Sequence, residues 1–196
     1  MEEDENAVED PFPEEPGITD IALIVEDREI HTIKAFLMSV SPVLKAMFTS
    51  KFREKSEQRI QFPEKKYDDF VLFLKKLHHK EYLELDDKVK RILPLAREYE
   101  TAQIVKDCEA WMISRLSVKK SKENAFVWRG NRSQDLNYLI EWLTIADDYH
   151  LNDLRSNLFD IITKYDFLMS LNYSEAYKHI SPETKAEILE KKTVQC

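Results

Sequence analysis

Few residues of this 196-residue chain are spaced for chemistry. His78-His79-Lys80 brings two imidazoles together, and Asp147-Asp148-Tyr149-His150 gathers two carboxylates and an imidazole. Neither has the converging ligands a bound metal needs, because adjacent residues on a helix point apart. The first reads better as a helix end whose cations suit the negative pole of the helix dipole. The second reads as a polar helix end, with Tyr149 turned inward and the acids in water. Cys108 and Cys196 make neither a disulfide framework nor a metal set. Cys108 falls on an apolar helix face without a basic neighbour to activate it, so it reads as a packed thiol. H-E-x-x-H, G-x-S-x-G, phosphate-loop and paired C-x-x-C patterns do not occur. With two glycines, Gly17 and Gly130, there is no phosphate-cradling loop, and few left-handed turns are expected. The expectation is no enzyme, no cofactor and no metal.

What remains is the chemistry of recognition. Phe52 is the one apolar residue in the polar stretch from Thr49 to Gln58, and Glu54 follows two positions later. A large apolar anchor beside a charge is how interface hot spots are built. The competing reading folds Phe52 back onto the core. Asp20 and Lys34 set opposite charges on either side of the first apolar stretch.

Those residues must be positioned by the elements around them. Ile21 to Val25 is a short apolar run entering a polar turn at Glu26-Asp27-Arg28, and Glu29 to Ile33 returns, so a β-hairpin is predicted. The period then changes to three and four at Ile33, Phe36, Leu37 and Val40, one face of a helix. Ser41-Pro42 restarts the chain with a serine N-cap and proline at the first helical position. Val43, Leu44, Met47 and Phe48 line the helix that follows. Arg59 to Phe62 is a short strand, and Tyr67, Phe70, Phe73, Leu74 and Leu77 fill one face of the next helix. Val89, Ile92 and Leu93 continue the helical period, with Asp86 or Asp87 as cap. Pro94 is then expected to begin a fresh helix, since proline inside one costs about 3 kcal/mol.

The hairpin and the residues after it resemble the BTB (POZ) fold. Asp20 and the Ile21/Leu23/Val25 alternation match its first strand. Lys34, Leu37, Ser41, Leu44, Met47 and Phe48 match its K-x-x-L-x-x-x-S-x-x-φ-x-x-M-F pattern, with Ile33 where a histidine commonly precedes the lysine. The implied fold is α+β, a short sheet flanked by helices. The resemblance is to the BTB and BACK-like region of MATH-BTB adaptors of cullin-3 ubiquitin ligases, without a MATH domain or kelch repeats. It implies a homodimer whose interface uses Ile33, Phe36 and Leu37 above the Asp20–Lys34 charged pocket. It also implies cullin-3 contact through Phe52 and Glu54, the φ-x-E motif that follows S-P-V-L-K-A-M-F, with Leu44 and Tyr99. The open alternative is a BTB dimer that scaffolds a complex without any ligase.

The formal charge of −8 belongs to the N-terminus. Residues 1–15 hold eight acids and no base, and the rest of the chain has as many acids as its 29 lysines and arginines. Residues 1–17, with Pro11, Pro13 and Pro16, are expected to form a disordered acidic tail, and 18–116 the BTB domain. Residues 117–133 read as a basic linker, and 134–196 as a helical BACK-like extension. In that extension Leu136, Leu139, Ile140, Leu143 and Ala146 line one helix, Leu151, Leu154, Leu158, Ile161 and Ile162 its partner, and Ser181-Pro182-Glu183 starts another. There is an internal echo: Leu95-Ala96-x-x-Tyr99…Ile104…Cys108 repeats fifty residues on as Ile145-Ala146-x-x-Tyr149…Leu154…Leu158. Two similar helical hairpins in series are expected, too few for a repeat array. No run is long enough to span a membrane, and Met1-Glu2-Glu3-Asp4 is the opposite of a secretion signal, so an intracellular protein of cytoplasm, nucleus or both is expected. Nucleic-acid binding by the basic 115–132 segment is disfavoured, because Phe126 and Trp128 are its only stacking partners. The client is unknown, and the C-terminal helices or the acidic tail are where it would be held.

Overall fold

The structure, a computed structural model, describes residues 10–49, 58–78, 88–118, 132–164 and 175–193. The chain divides into two compact units, Met1–Val105 and Lys106–Cys196. The expectations for the 50–57 stretch, for His79, Lys80, Asp86, Asp87 and Cys196, and for most of the basic linker lie outside the described residues.

The first unit is α+β. Strands β1 (Ile21–Val25) and β2 (Arg28–Thr32) pair antiparallel, with Leu23 opposite Ile30 and Val25 opposite Arg28. The two-residue turn between them places Glu26 at φ 48° and Asp27 at φ 59°. Strand β3 (Arg59–Gln61) joins the free side of β1 in parallel, so the order is β2-β1-β3. A parallel partner requires a crossover. Helices α1 (Lys34–Val40) and α2 (Pro42–Thr49) lie in that connection. The central strand is buried almost throughout, which is why it reads as an unbroken apolar run.

Ser41 turns the chain between the two helices, extended at φ −134° and 1% exposed. Its hydroxyl accepts the Leu44 N–H at 3.0 Å and donates to the Tyr99 carbonyl at 2.6 Å. The cap predicted at Ser41-Pro42 is therefore present, and it also ties α2 to the end of α4 (Val89–Glu98). Helix α3 (Tyr67–His78) buries Tyr67, Phe70, Phe73 and Leu74 as its period requires. Asp68 and Asp69 lie in its first turn, and Lys75, Lys76 and His78 in its last, each sign at the pole that favours it. Phe62, Phe70, Phe73 and Tyr99 form one aromatic cluster with centroids 5.0–6.1 Å apart.

Pro94 does not begin a helix. It lies inside α4 as its sixth residue. Pro94 is exposed. Ile92, Leu93, Leu95 and Ala96 keep the chain helical around it by packing inward. Glycine scarcity has a second consequence that differs from expectation. Among the described residues five that are not glycine adopt left-handed φ: Glu26, Asp27, Glu64, Glu100 and His150. The tight turns are made all the same, at a conformational cost near 1 kcal/mol each.

The second unit is helical. It contains most of α5 (Ala102–Val118), then α6 (Arg132–Asp148), α7 (Asn152–Lys164), α8 (Glu175–His179) and α9 (Pro182–Thr193). Leu136, Leu139, Ile140, Leu143 and Ala146 of α6 are buried, as are Leu154, Leu158, Ile161 and Ile162 of α7. Trp142 and Phe159 join them, although neither belonged to the expected faces. Leu151 occupies the N-cap position of α7 and has no oxygen to offer. Glu109 of α5 supplies it instead, accepting the N–H groups of Asp153 and Leu154 at 2.9 and 3.0 Å. Ser181 caps α9 through the Thr184 N–H at 3.1 Å.

The internal echo is a repeated turn. Helix α4 ends with Thr101 N–H to the Ala96 carbonyl and Glu100 N–H to the Arg97 carbonyl, and α6 ends with Leu151 to Ala146 and His150 to Asp147. Both are Schellman closures, with a left-handed residue, Glu100 or His150, where glycine is usual.

Candidate protein-interaction site

Helix α1 enters from Ile33, which is extended and provides no side-chain cap. Asp20 provides it from a distance: its carboxylate accepts the Lys34 backbone N–H at 2.6 Å. The acidic member of the expected pair thus holds the first turn of α1. The Lys34 ammonium stands 5.2 Å over the Phe48 ring. Asp20 is exposed and Lys34 half-buried in this chain.

Beyond that first turn the residues expected on one apolar face separate by burial. Leu37 points into the first unit and is fully buried. Ile33, Phe36 and Val40 are half-buried, so with Met38 they carry apolar surface that α1 leaves partly open. Phe36 packs on His78 with centroids 4.2 Å apart, and Phe12 packs on the same imidazole at 5.5 Å. Thr32 Oγ1 lies 3.2 Å from His78 Nε2. Phe12 also accepts the His31 N–H through its carbonyl at 3.1 Å. The tail boundary expected at residue 17 therefore falls inside a segment that touches β2 and α3, and composition could not reveal Phe12 as its anchor.

Leu44 and Tyr99 are core residues, 0% and 5% exposed. Burial raises the Tyr99 phenol well above the ordinary tyrosine range, and the charge and hydrogen bond of Glu98 raise it further. Glu98 itself pairs with Lys65 at 2.8 Å. Phe52 and Glu54 lie outside the described residues.

In the second unit Asp147 departs from expectation. It is not simply in water: Arg155 Nε donates to one of its oxygens at 2.6 Å and Thr184 Oγ1 to the other at 2.8 Å. Arg155 also binds Glu187 through both terminal nitrogens, at 3.1 and 2.6 Å. The cause lies in tertiary structure, since α7 and α9 bring Arg155 and Thr184 to the end of α6. No group of three or more His, Cys, Asp or Glu among the described residues could hold a metal ion. None of the described helices is long and apolar enough to cross a membrane.

A hairpin, a two-helix crossover and a parallel third strand, followed by helices α3 to α5, define a small α+β interaction fold. The BTB/POZ domain family matches residues 10–116, more than half of the chain, and the chain belongs to that family. BTB and MATH domain-containing protein 38 of Caenorhabditis elegans is 25% identical over 175 residues, 89% of this chain and 40% of that protein. Protein 36 of the same name and organism is 22% identical over 174 residues, 89% of this chain and 48% of its own length. Human Kelch-like protein 28 is 31% identical over 99 residues, 50% of this chain and 17% of that protein. The chain thus spans less than half the length of each of these relatives. The family is one of non-enzymatic interaction modules, and this chain carries a protein-interaction module.

Proposed function

We propose that the protein is a dimeric BTB adaptor that links a client protein to a cullin-3 RING ubiquitin ligase inside the cell. The single observation that carries the dimer is the face of α1, where Ile33, Phe36 and Val40 stay half-exposed although Leu37 is buried. An apolar face left open at the start of a helix is covered most simply by its own twofold copy. Asp20 would sit at the rim of that interface, holding α1 in place through the Lys34 N–H rather than adding binding energy.

The cullin half of the proposal rests on the family and on sequence position. Phe52 and Glu54 follow α2 directly, where BTB adaptors of this kind carry φ-x-E. Leu44 and Tyr99 act from within: their burial sets the position of α2, and neither touches the partner. Placing one phenylalanine in a partner's groove contributes about 1.5–3 kcal/mol, enough to change affinity more than tenfold. Glu54 orients the contact and contributes less if it stays at the rim. Residues 117–133 are a linker in this proposal, and the helical segment after them, BACK-like and matched by the Caenorhabditis relatives, holds the client.

Affinity capture from the native cell, with wild type beside a Phe52→Ala/Glu54→Ala chain, tests the proposal. Cullin-3 should be lost from the variant while other partners stay. Its absence from both samples would leave a dimeric scaffold without a ligase.

A further inference from the structure

Helix α9 is held by charge more than by apolar area. Of its described side chains only Thr184 and Ile188 are buried, and Leu189 is 47% exposed. One apolar side chain in the core is little for a helix of 12 residues, too short to stay helical alone. What draws it down is Arg155 of α7, which binds Asp147 at the end of α6 and grips Glu187 of α9 with both terminal nitrogens. Fork-to-fork pairing of this kind is the strong form of an ion pair. Arg155 lies 4.5 Å over the buried Phe159 ring, and Lys191 of α9 stands 5.3 Å over the same ring and 3.7 Å from Asp160. Two cations therefore roof an aromatic side chain that would otherwise meet water.

We propose that α9 is a latch: the Arg155 lock on Asp147 and Glu187 keeps it closed over Phe159, and loss of that lock frees α9 while α6 and α7 stay folded. The lock is exposed enough to be screened, with side chains of Arg155, Asp147 and Glu187 at 28%, 27% and 43% exposure. Helices α6 and α7 do not depend on it, since Leu139, Ile140, Leu143, Leu154 and Leu158 close their own core. An opened latch uncovers Phe159 and gives the C-terminal helices two states, whether or not the chain serves a ligase.

Hydrogen exchange on the full chain, read by mass spectrometry at about 0.05 M and 1 M NaCl, separates the possibilities. In wild type, high salt should speed exchange across α9 about tenfold and leave α6 and α7 protected. Glu187→Gln, which keeps the shape and removes the charge, should exchange fast in α9 at both salt levels. Arg155→Met should do the same. If it fails to fold, Glu187→Gln and the wild-type salt dependence decide the matter. Slow α9 exchange in Glu187→Gln, or joint loss of protection from α6, α7 and α9, would overturn the latch.

Discussion

Leu37 and Phe36 are neighbours with different tasks, and substitution should separate them. Leu37→Ala removes a fully buried side chain and should cost about 2–5 kcal/mol of stability. Phe36→Ala removes a half-exposed ring; it should leave melting largely intact and weaken self-association, seen as a shift toward monomer in dilution experiments. Ser41→Ala gives a third contrast. It removes a buried hydroxyl that serves both the Leu44 N–H and the Tyr99 carbonyl, so thermal unfolding should show a loss of about 1–3 kcal/mol. At this scale the sequence was legible where chemistry is local. Ser41-Pro42 and Ser181-Pro182 both cap as expected, and each serine has buried positions three and seven residues on: Leu44 and Phe48, Thr184 and Ile188. What could not be read were acids acting over distance. Asp20 caps Lys34, Glu26 caps α3 at Tyr67 and Glu109 caps α7, separations of 14, 41 and 44 residues at their first bonds. No periodicity contains those pairings. They exist because the folded chain brings a carboxylate to a helix start that has no oxygen of its own.

At the scale of elements, the two Schellman turns show that a conformation usually given to glycine is held here by tertiary packing. Glu100 is exposed at φ 51°, and Glu100→Gly should raise stability by about 1 kcal/mol, a few degrees in melting temperature. The helices themselves were legible, because Tyr67, Phe70, Phe73 and Leu74 keep a period that no other element can use. Pro94 does not break α4 because it occupies the exposed face, while Ile92, Leu93, Leu95 and Ala96 pack inward. Helix α9 also has a pH dependence with a definite sign. The hydrogen bond from Arg155 lowers the Glu187 carboxyl below the ordinary glutamate range, against the opposing effect of burial. The charged form is the one bound, so its contribution is complete above the ordinary range and is lost as pH falls through the lowered value. Protection across α9, taken relative to the intrinsic exchange rate at each pH, should therefore fall on acidification before that of α6 and α7.

For the whole molecule, the charge excess and the open apolar face belong to different segments. The acidic excess lies in residues 1–15, while the open apolar face lies on α1. Phe12 lies between the two, its ring on His78 and its carbonyl on the β2 edge, so the end of the acidic segment sits beside Phe36. A dimer that takes up cullin-3 would show itself in the mass of the mixture. Gel filtration with light scattering, on the chain alone and with the N-terminal region of cullin-3, should give twice 23.3 kDa for the chain alone. With cullin it should give a complex of two copies of each protein, and Phe52→Ala should return the chain to its own dimer mass. A chain that elutes at 23.3 kDa and takes up no cullin would rule out the dimeric adaptor.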